Sequence, residues 1–184
     1  MTDWSDIPVA MNGGDTLTLD QWRGKVVLVV NVASKCGLTP QYEGLEALYR
    51  DKHDAGLEIL GVPSNDFLGQ EPGNDAEIAE FCQLTYDVTF PLASKTPVSG
   101  PDRHPLYSAL IAAIPDTPGA EARRAKLSAK GIPVNQPPEV QWNFEKFLIG
   151  RDGTLVARFA PDTKPDDPAF LQAIDDALGQ AADR

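Results

Sequence analysis

The chain has 184 residues, 42% of them apolar and 23% charged, with a formal net charge of −11. That balance excludes a disordered or fibrous chain, and the length fits one domain over residues 1–184 that buries roughly 70% of its unfolded surface. The acidic charge repels phosphate backbones and anionic lipid, so neither nucleic acid nor a membrane surface is an expected partner. In chain order, Lys25-Val-Val-Leu-Val-Val-Asn-Val-Ala33 is a nearly continuous β-branched run, which predicts a strand buried on both faces. An amphipathic helix follows, with Tyr42, Leu45, Leu48 and Tyr49 on one stripe, Thr39 and Pro40 at the N-cap and N1 positions, and Gly56 beyond its end. Leu57 to Val62 reads as a second strand, so strand, helix and strand form a right-handed parallel crossover. After a loop from Pro63 to Gly73, Asn74 caps a helix carrying Ile78, Phe81 and Cys82 on one face. A shorter helix starts at His104-Pro105, with Leu106, Leu110 and Ala113 on its stripe. Pro115 to Gln141 is Pro-rich and polar apart from a short helix around Arg123, Arg124, Lys126 and Lys130, read as an exposed basic helix. A hairpin joins Phe144–Ile149 to Leu155–Phe159 through Arg151-Asp152-Gly153. Asp167-Pro168 begins the last helix, with Phe170, Leu171, Ile174 and Leu178 inward. A βαβ half followed by a ββα half is the layout of a thioredoxin-like sheet.

Two cysteines are too few for a secreted disulfide framework and remain available for chemistry. No apolar run approaches the ~20 residues of a membrane-spanning helix. The polar, acidic first residues lack the basic start and apolar centre of a targeting segment, which leads to an expectation of cytoplasmic location. His53 ends a helix and His104 precedes a proline at a helix start; neither is part of a metal-ligand cluster or a His–Cys pair. Met11-Asn-Gly-Gly-Asp15 lacks the spacing of a phosphate loop, so no cofactor and no metal are expected.

Cys36 falls between a buried strand and a helix start, where backbone N–H groups and the positive helix end favour an anion. Lys35 adds positive charge if its side chain turns to the sulfur. The alternative is a small apolar side chain tucked under the sheet. The residue three beyond Cys36 is Thr39, so the C-x-x-C of dithiol exchange is absent.

Three segments carry a longer signal: Asn31-Val-Ala-Ser-Lys-Cys-Gly-Leu-Thr39, Gly61-Val-Pro-Ser-Asn-Asp-Phe-Leu-Gly-Gln-Glu-Pro-Gly73 and Trp142-Asn-Phe-Glu-Lys-Phe-Leu148. In order and spacing they resemble the glutathione peroxidase family, over nearly the whole chain from about Gly13 to the last helix. The resemblance implies an α/β thioredoxin-like fold, a central mixed sheet flanked by helices, and reduction of hydrogen peroxide and organic hydroperoxides by a cysteine of the non-selenium type. It places the catalytic set on Cys36, Gln70, Trp142 and Asn143. A thiolate attacking one peroxide oxygen shifts negative charge from sulfur to oxygen. Amide and indole N–H groups can follow that shift without locking the sulfur in an ion pair.

Glu80-Phe-Cys-Gln-Leu-Thr-Tyr86, followed by Thr89-Phe-Pro91, resembles the segment that holds the resolving cysteine in thioredoxin-dependent members. Cys82 would then condense with a sulfenic acid on Cys36, provided its helix loosens, and the presence of Cys82 favours thioredoxin over glutathione as reductant. The family's frequent third cysteine is replaced by Ser64, and a frequent glutamine by Asp66. Two other readings share the first step or the fold: a redox sensor that passes oxidation to a partner protein, and a peroxiredoxin-like thiol oxidoreductase.

Overall fold

In the computed structural model, which describes residues 3–181, the chain opens with a two-residue antiparallel ribbon, β1 (Val9–Ala10) against β2 (Thr16–Leu17). Strands this short carry no periodicity, and sequence reading misses them. The crossover follows as β3 (Val26–Val32), α1 (Gln41–Lys52) and β4 (Leu57–Pro63). Then come α2 (Asp75–Tyr86), α3 (Pro105–Ala113), α4 (Ala120–Ala129), β5 (Lys146–Ile149), β6 (Leu155–Phe159) and α5 (Pro168–Leu178).

The sheet order is β4-β3-β5-β6. β3 and β4 run parallel with Val26 opposite Leu57, and β5 is antiparallel to both β3 and β6. Every residue of β3 and β4 is buried, because alternate side chains enter two separate cores. Val27 and Val29 join Leu106 and Leu110 of α3 on one face. Val26, Leu28, Val30 and Val32 join Leu45 of α1, Ile78 of α2 and Ile174 of α5 on the other. Each such side chain contributes about 1.5–3 kcal/mol by leaving water, and this two-sided burial is why the run reads as continuous rather than alternating. The α/β, thioredoxin-like architecture with helices flanking a mixed sheet is the one expected.

Three expectations need correction. β5 begins at Lys146, not Phe144, because Phe144 has a φ of 67° and the chain turns there before it can pair. Pro40, not Thr39, occupies the N-cap position of α1, and no side chain caps that end; the Thr39 hydroxyl is committed elsewhere. The helix α4 is only in part the exposed basic helix expected: Lys126 and Lys130 are exposed, but the two arginines are drawn inward. Arg124 is only 9% exposed, pairs with Asp116 at 2.7 Å and donates to the Asn135 carbonyl at 3.1 Å. Arg123 pairs with Asp162 at 3.4 Å, so both arginines tie the 116–135 stretch down.

Candidate active site

The end of β3 feeds the loop that carries Cys36. Thr39 Oγ1 accepts the Cys36 backbone N–H at 3.0 Å and donates to the Ala33 carbonyl at 2.8 Å. That brace keeps the loop tight and explains why threonine does not cap the helix. Cys36 is half-buried, and its Sγ accepts the backbone N–H of Leu38 at 3.3 Å. That bond places a backbone N–H donor directly on the sulfur. Lys35 is exposed and its ammonium forms no ion pair among the described residues; it contributes through its backbone, whose N–H donates to the Gln70 carbonyl at 3.0 Å.

That bond joins the Cys36 loop to the 63–73 loop. There Leu68 and Gly69 are both left-handed, with φ of 54° and 62°, which sharpens the turn before Gln70. The Lys95 ammonium donates to the Gly73 carbonyl at 2.6 Å and the Glu71 carbonyl at 3.3 Å. Ser64 is fully buried and donates to Asp66 at 2.8 Å, whose carboxylate accepts the N–H groups of Val98 and Ser99. The two residues that depart from the family pattern thus act together as an anchor for this loop.

The third segment arrives from across the sheet. Asn31, the one polar side chain in β3, donates through Nδ2 to the Trp142 carbonyl at 3.0 Å, and its own carbonyl accepts the Phe144 N–H at 2.6 Å. Asn143, 0% exposed, donates through Nδ2 to Gln70 Oε1 at 2.8 Å. The Gln70 oxygen is therefore turned toward Asn143, and the Gln70 amide hydrogens have no acceptor among the described residues. The indole N–H of Trp142 likewise has none, while its ring packs on Phe67 with centroids 5.4 Å apart. Gln70, Asn143 and the backbone beside Cys36 are thus one bonded unit, and Trp142 is its immediate neighbour in the chain.

Cys82 is not part of that unit. It is 1% exposed in α2, and both cysteines are free thiols. Burial pushes the Cys82 thiol up to about 11, opposed by the Tyr42 hydroxyl and reinforced by the Glu71 carboxylate. The Tyr42 hydroxyl interacts with Cys82 electrostatically but has no partner in good hydrogen-bond geometry. Glu71 is 1% exposed, is raised above the usual carboxylate range by burial, and keeps Oε2 unpartnered. A cavity of about 270 Å³ lined by Ser34, Lys35, Glu71, Glu77, Ile78 and Phe81 lies between the Cys36 loop and α2.

Both ends of α2 are fastened. Asn74 and Glu77 form a reciprocal capping box. At the other end Glu46 accepts the Thr89 N–H at 2.7 Å, and Arg50 donates to Asp87. Beyond the Cys36 loop, a mainly apolar groove of about 560 Å³ is lined by Gly37, Leu38, Pro40, Gly44, Ala47 and Pro165, among others.

Sequence reading missed the roles of Thr39, Asn31, Glu71 and Lys146. Only Asn31 advertises itself, as a lone amide inside an apolar strand, where a buried polar group requires a partner. Among the described residues, no group of three or more His, Cys, Asp or Glu side chains is placed to hold a metal ion, and no helix is long and apolar enough to cross a membrane.

Residues 5–111 match the family model described as glutathione peroxidase. The chain is 49% identical over 169 residues to the thioredoxin/glutathione peroxidase BtuE of Escherichia coli, covering 91% of this chain and 92% of that one. It is 50% identical over 155 residues to the hydroperoxy fatty acid reductase Gpx2 of Synechocystis, covering 84% and 86%. The crystal structure of Trgpx in apo form is similar over the full length of both chains, with a TM-score of 0.72 and 35% identity.

Proposed function

The chain belongs to the glutathione peroxidase family and is a thiol peroxidase, and from that premise we propose that Cys36 reduces hydrogen peroxide and organic hydroperoxides, with Cys82 resolving and thioredoxin regenerating the dithiol. The observation that carries this reading is the bonded unit of the Cys36 loop, Gln70 and Asn143. The Cys36 thiolate attacks one peroxide oxygen, the O–O bond breaks, and the second oxygen leaves as water or an alcohol after taking up a proton. Charge that moves from sulfur to the leaving oxygen is stabilised there by uncommitted N–H donors of Gln70 and Trp142, with Asn143 fixing the Gln70 amide. The apolar groove beside Leu38 suits the carbon chain of an organic hydroperoxide.

The product on sulfur is a sulfenic acid, Cys36–SOH. Cys82 then attacks that sulfur, the S–O bond breaks, and hydroxide leaves as water with the proton released by the thiol. A disulfide needs Cα atoms within ~7 Å, and the buried, protonated Cys82 reaches that state only when α2 opens locally. The intramolecular disulfide that results is the kind of bond that a dithiol reductant such as thioredoxin attacks, whereas glutathione serves a protein lacking Cys82. The name borne by the Escherichia coli relative includes both reductants.

The test is peroxide consumption with thioredoxin and glutathione systems side by side, for the wild type and Cys82→Ser. Wild type should turn over with thioredoxin, and Cys82→Ser should consume one equivalent of peroxide and then stall in that system. Sustained thioredoxin-supported turnover by Cys82→Ser would remove Cys82 from the mechanism.

A further inference from the structure

Lys146 is the first residue of β5, and it is 0% exposed. Among the described residues no carboxylate lies within ion-pair distance of its ammonium. Nζ instead donates to two backbone carbonyls, Phe144 at 2.6 Å and Pro161 at 3.3 Å. Pro161 also accepts Nε2 of Gln41 at 2.9 Å, which ties the same point to α1. Burial lowers the ammonium to about 7, against the pull of Asp162 and Glu145 and with the push of Arg123. Such a group is costly to keep in the core, and an apolar side chain of equal length would pack there without desolvating a charge. The peptide it holds is an unusual one. Phe144 is left-handed, with a φ of 67°, a conformation that a bulky side chain adopts only when its surroundings impose it. Two bonds impose it here, one on each side of the residue: the Phe144 N–H is held by the Asn31 carbonyl at 2.6 Å, and the Phe144 carbonyl by Lys146. The residue directly before this turn is Asn143, which orients Gln70, and the one before that is Trp142, whose carbonyl Asn31 also holds.

We propose that Lys146 is a positioning residue for peroxide reduction: by holding the Phe144 carbonyl it maintains the left-handed turn that keeps Trp142 and Asn143 beside Gln70. The inference rests on the reading of Gln70 and Trp142, with Asn143 orienting Gln70, as the groups that stabilise the moving charge. Lys146 touches neither the sulfur nor the peroxide, so its effect passes through Asn143 and Trp142.

The experiment is single-turnover oxidation of Cys36 by hydrogen peroxide in Lys146→Met, Asn143→Ala and the double variant, with iodoacetamide alkylation of Cys36 measured in parallel. Lys146→Met should slow peroxide oxidation roughly 10- to 100-fold, the scale of a misplacement near one ångström. Alkylation, which needs the thiolate but not the donors, should keep its wild-type rate. The double variant should lose less than the product of the two single losses, because the part of the effect that passes through Asn143 is already gone. Lys146→Gln, which retains an N–H donor of shorter reach, should recover part of the rate and replaces methionine if that variant does not fold. A wild-type peroxide rate in Lys146→Met, losses that multiply in the double variant, or an equal loss in alkylation overturns the inference. A wild-type peroxide rate in Asn143→Ala overturns instead the donor reading on which it rests.

Discussion

Cys36 sits half-buried at the end of β3 with a backbone N–H on its sulfur, whereas Cys82 lies 1% exposed inside α2, in the same apolar cluster as Ile78 and Phe90, its thiol pushed up to about 11. The side chains are identical, and their surroundings differ. Cys36 is only partly buried, in a loop rather than a helix. At Cys82 the thiol is protonated and enclosed, and the helix carrying it is capped at one end by Asn74 and fastened at the other by Glu46 and Arg50. In the proposed mechanism, oxidation is therefore a matter of local chemistry, and resolution a matter of opening a secondary-structure element. The enclosure suits the proposed role: a resolving thiol kept neutral and buried stays out of reach of peroxide until its partner has been oxidised.

The largest effect that tests this contrast is loss of the reacting sulfur. Cys36→Ser should reduce peroxide consumption by about 10³-fold or more, and Cys82→Ser should leave the first oxidation unchanged. Equal losses in single-turnover measurements would erase the distinction between the two sites. Next come the groups around Cys36. Trp142→Phe removes the indole N–H and keeps an aromatic ring on Phe67, and it should slow Cys36 oxidation by about 10²–10³-fold if that hydrogen meets the leaving oxygen. A rate within a factor of about two of wild type would take Trp142 out of the site.

The Cys82 surroundings have their own signature in pH. The folded thiol titrates near 11, above its value of 9.0 outside the fold, so the folded chain binds more protons between those limits. The stability it contributes is complete below about pH 9 and is lost as pH rises toward 11. Wild type should lose about 2 kcal/mol of unfolding free energy relative to Cys82→Ala across that window. Denaturant curves at about pH 8.5 and about pH 11 measure it, and parallel slopes for the two proteins would mean that Cys82 is not enclosed in solution. The smallest effect probes the fastening of α2. Asn74→Ala removes the cap, worth about 1 kcal/mol, and should speed disulfide formation after one equivalent of peroxide by about fivefold. Slower or unchanged disulfide formation would show that opening starts from the other end of the helix.

Much of the fold was legible because its central strand is buried on both faces. A nearly unbroken β-branched run of that length suits little besides a central strand, and the helices after Thr39, Asn74 and Asp167 carry clear apolar stripes and terminal residues. The proposed set of Cys36, Gln70, Trp142 and Asn143 was drawn from motifs rather than from periodicity. Arg124 and Lys146 were not legible. A lysine at the start of a hairpin strand and an arginine on a polar helix both read as solvated charges, and only the assembled molecule shows Asp116 beside the arginine and two carbonyls beside the lysine. The left-handed Phe144 was equally invisible, since phenylalanine itself disfavours that conformation and the bonds that enforce it come from Asn31 and Lys146.

The order of amino acids, taken alone, specified which segments are strand or helix, which faces turn inward, and which short stretches carry the two thiols and the amide and indole groups. Those properties depend on neighbours within a few positions, and so they leave a local pattern. Packing alone decided that Gln70 and Asn143, 73 positions apart, share a hydrogen bond, that Lys146 is buried rather than solvated, and that Cys82 is held away from water. Each of those outcomes depends on a partner brought from a distant part of the chain, and a hydrogen bond or a buried charge has no sequence period by which it could be read in advance.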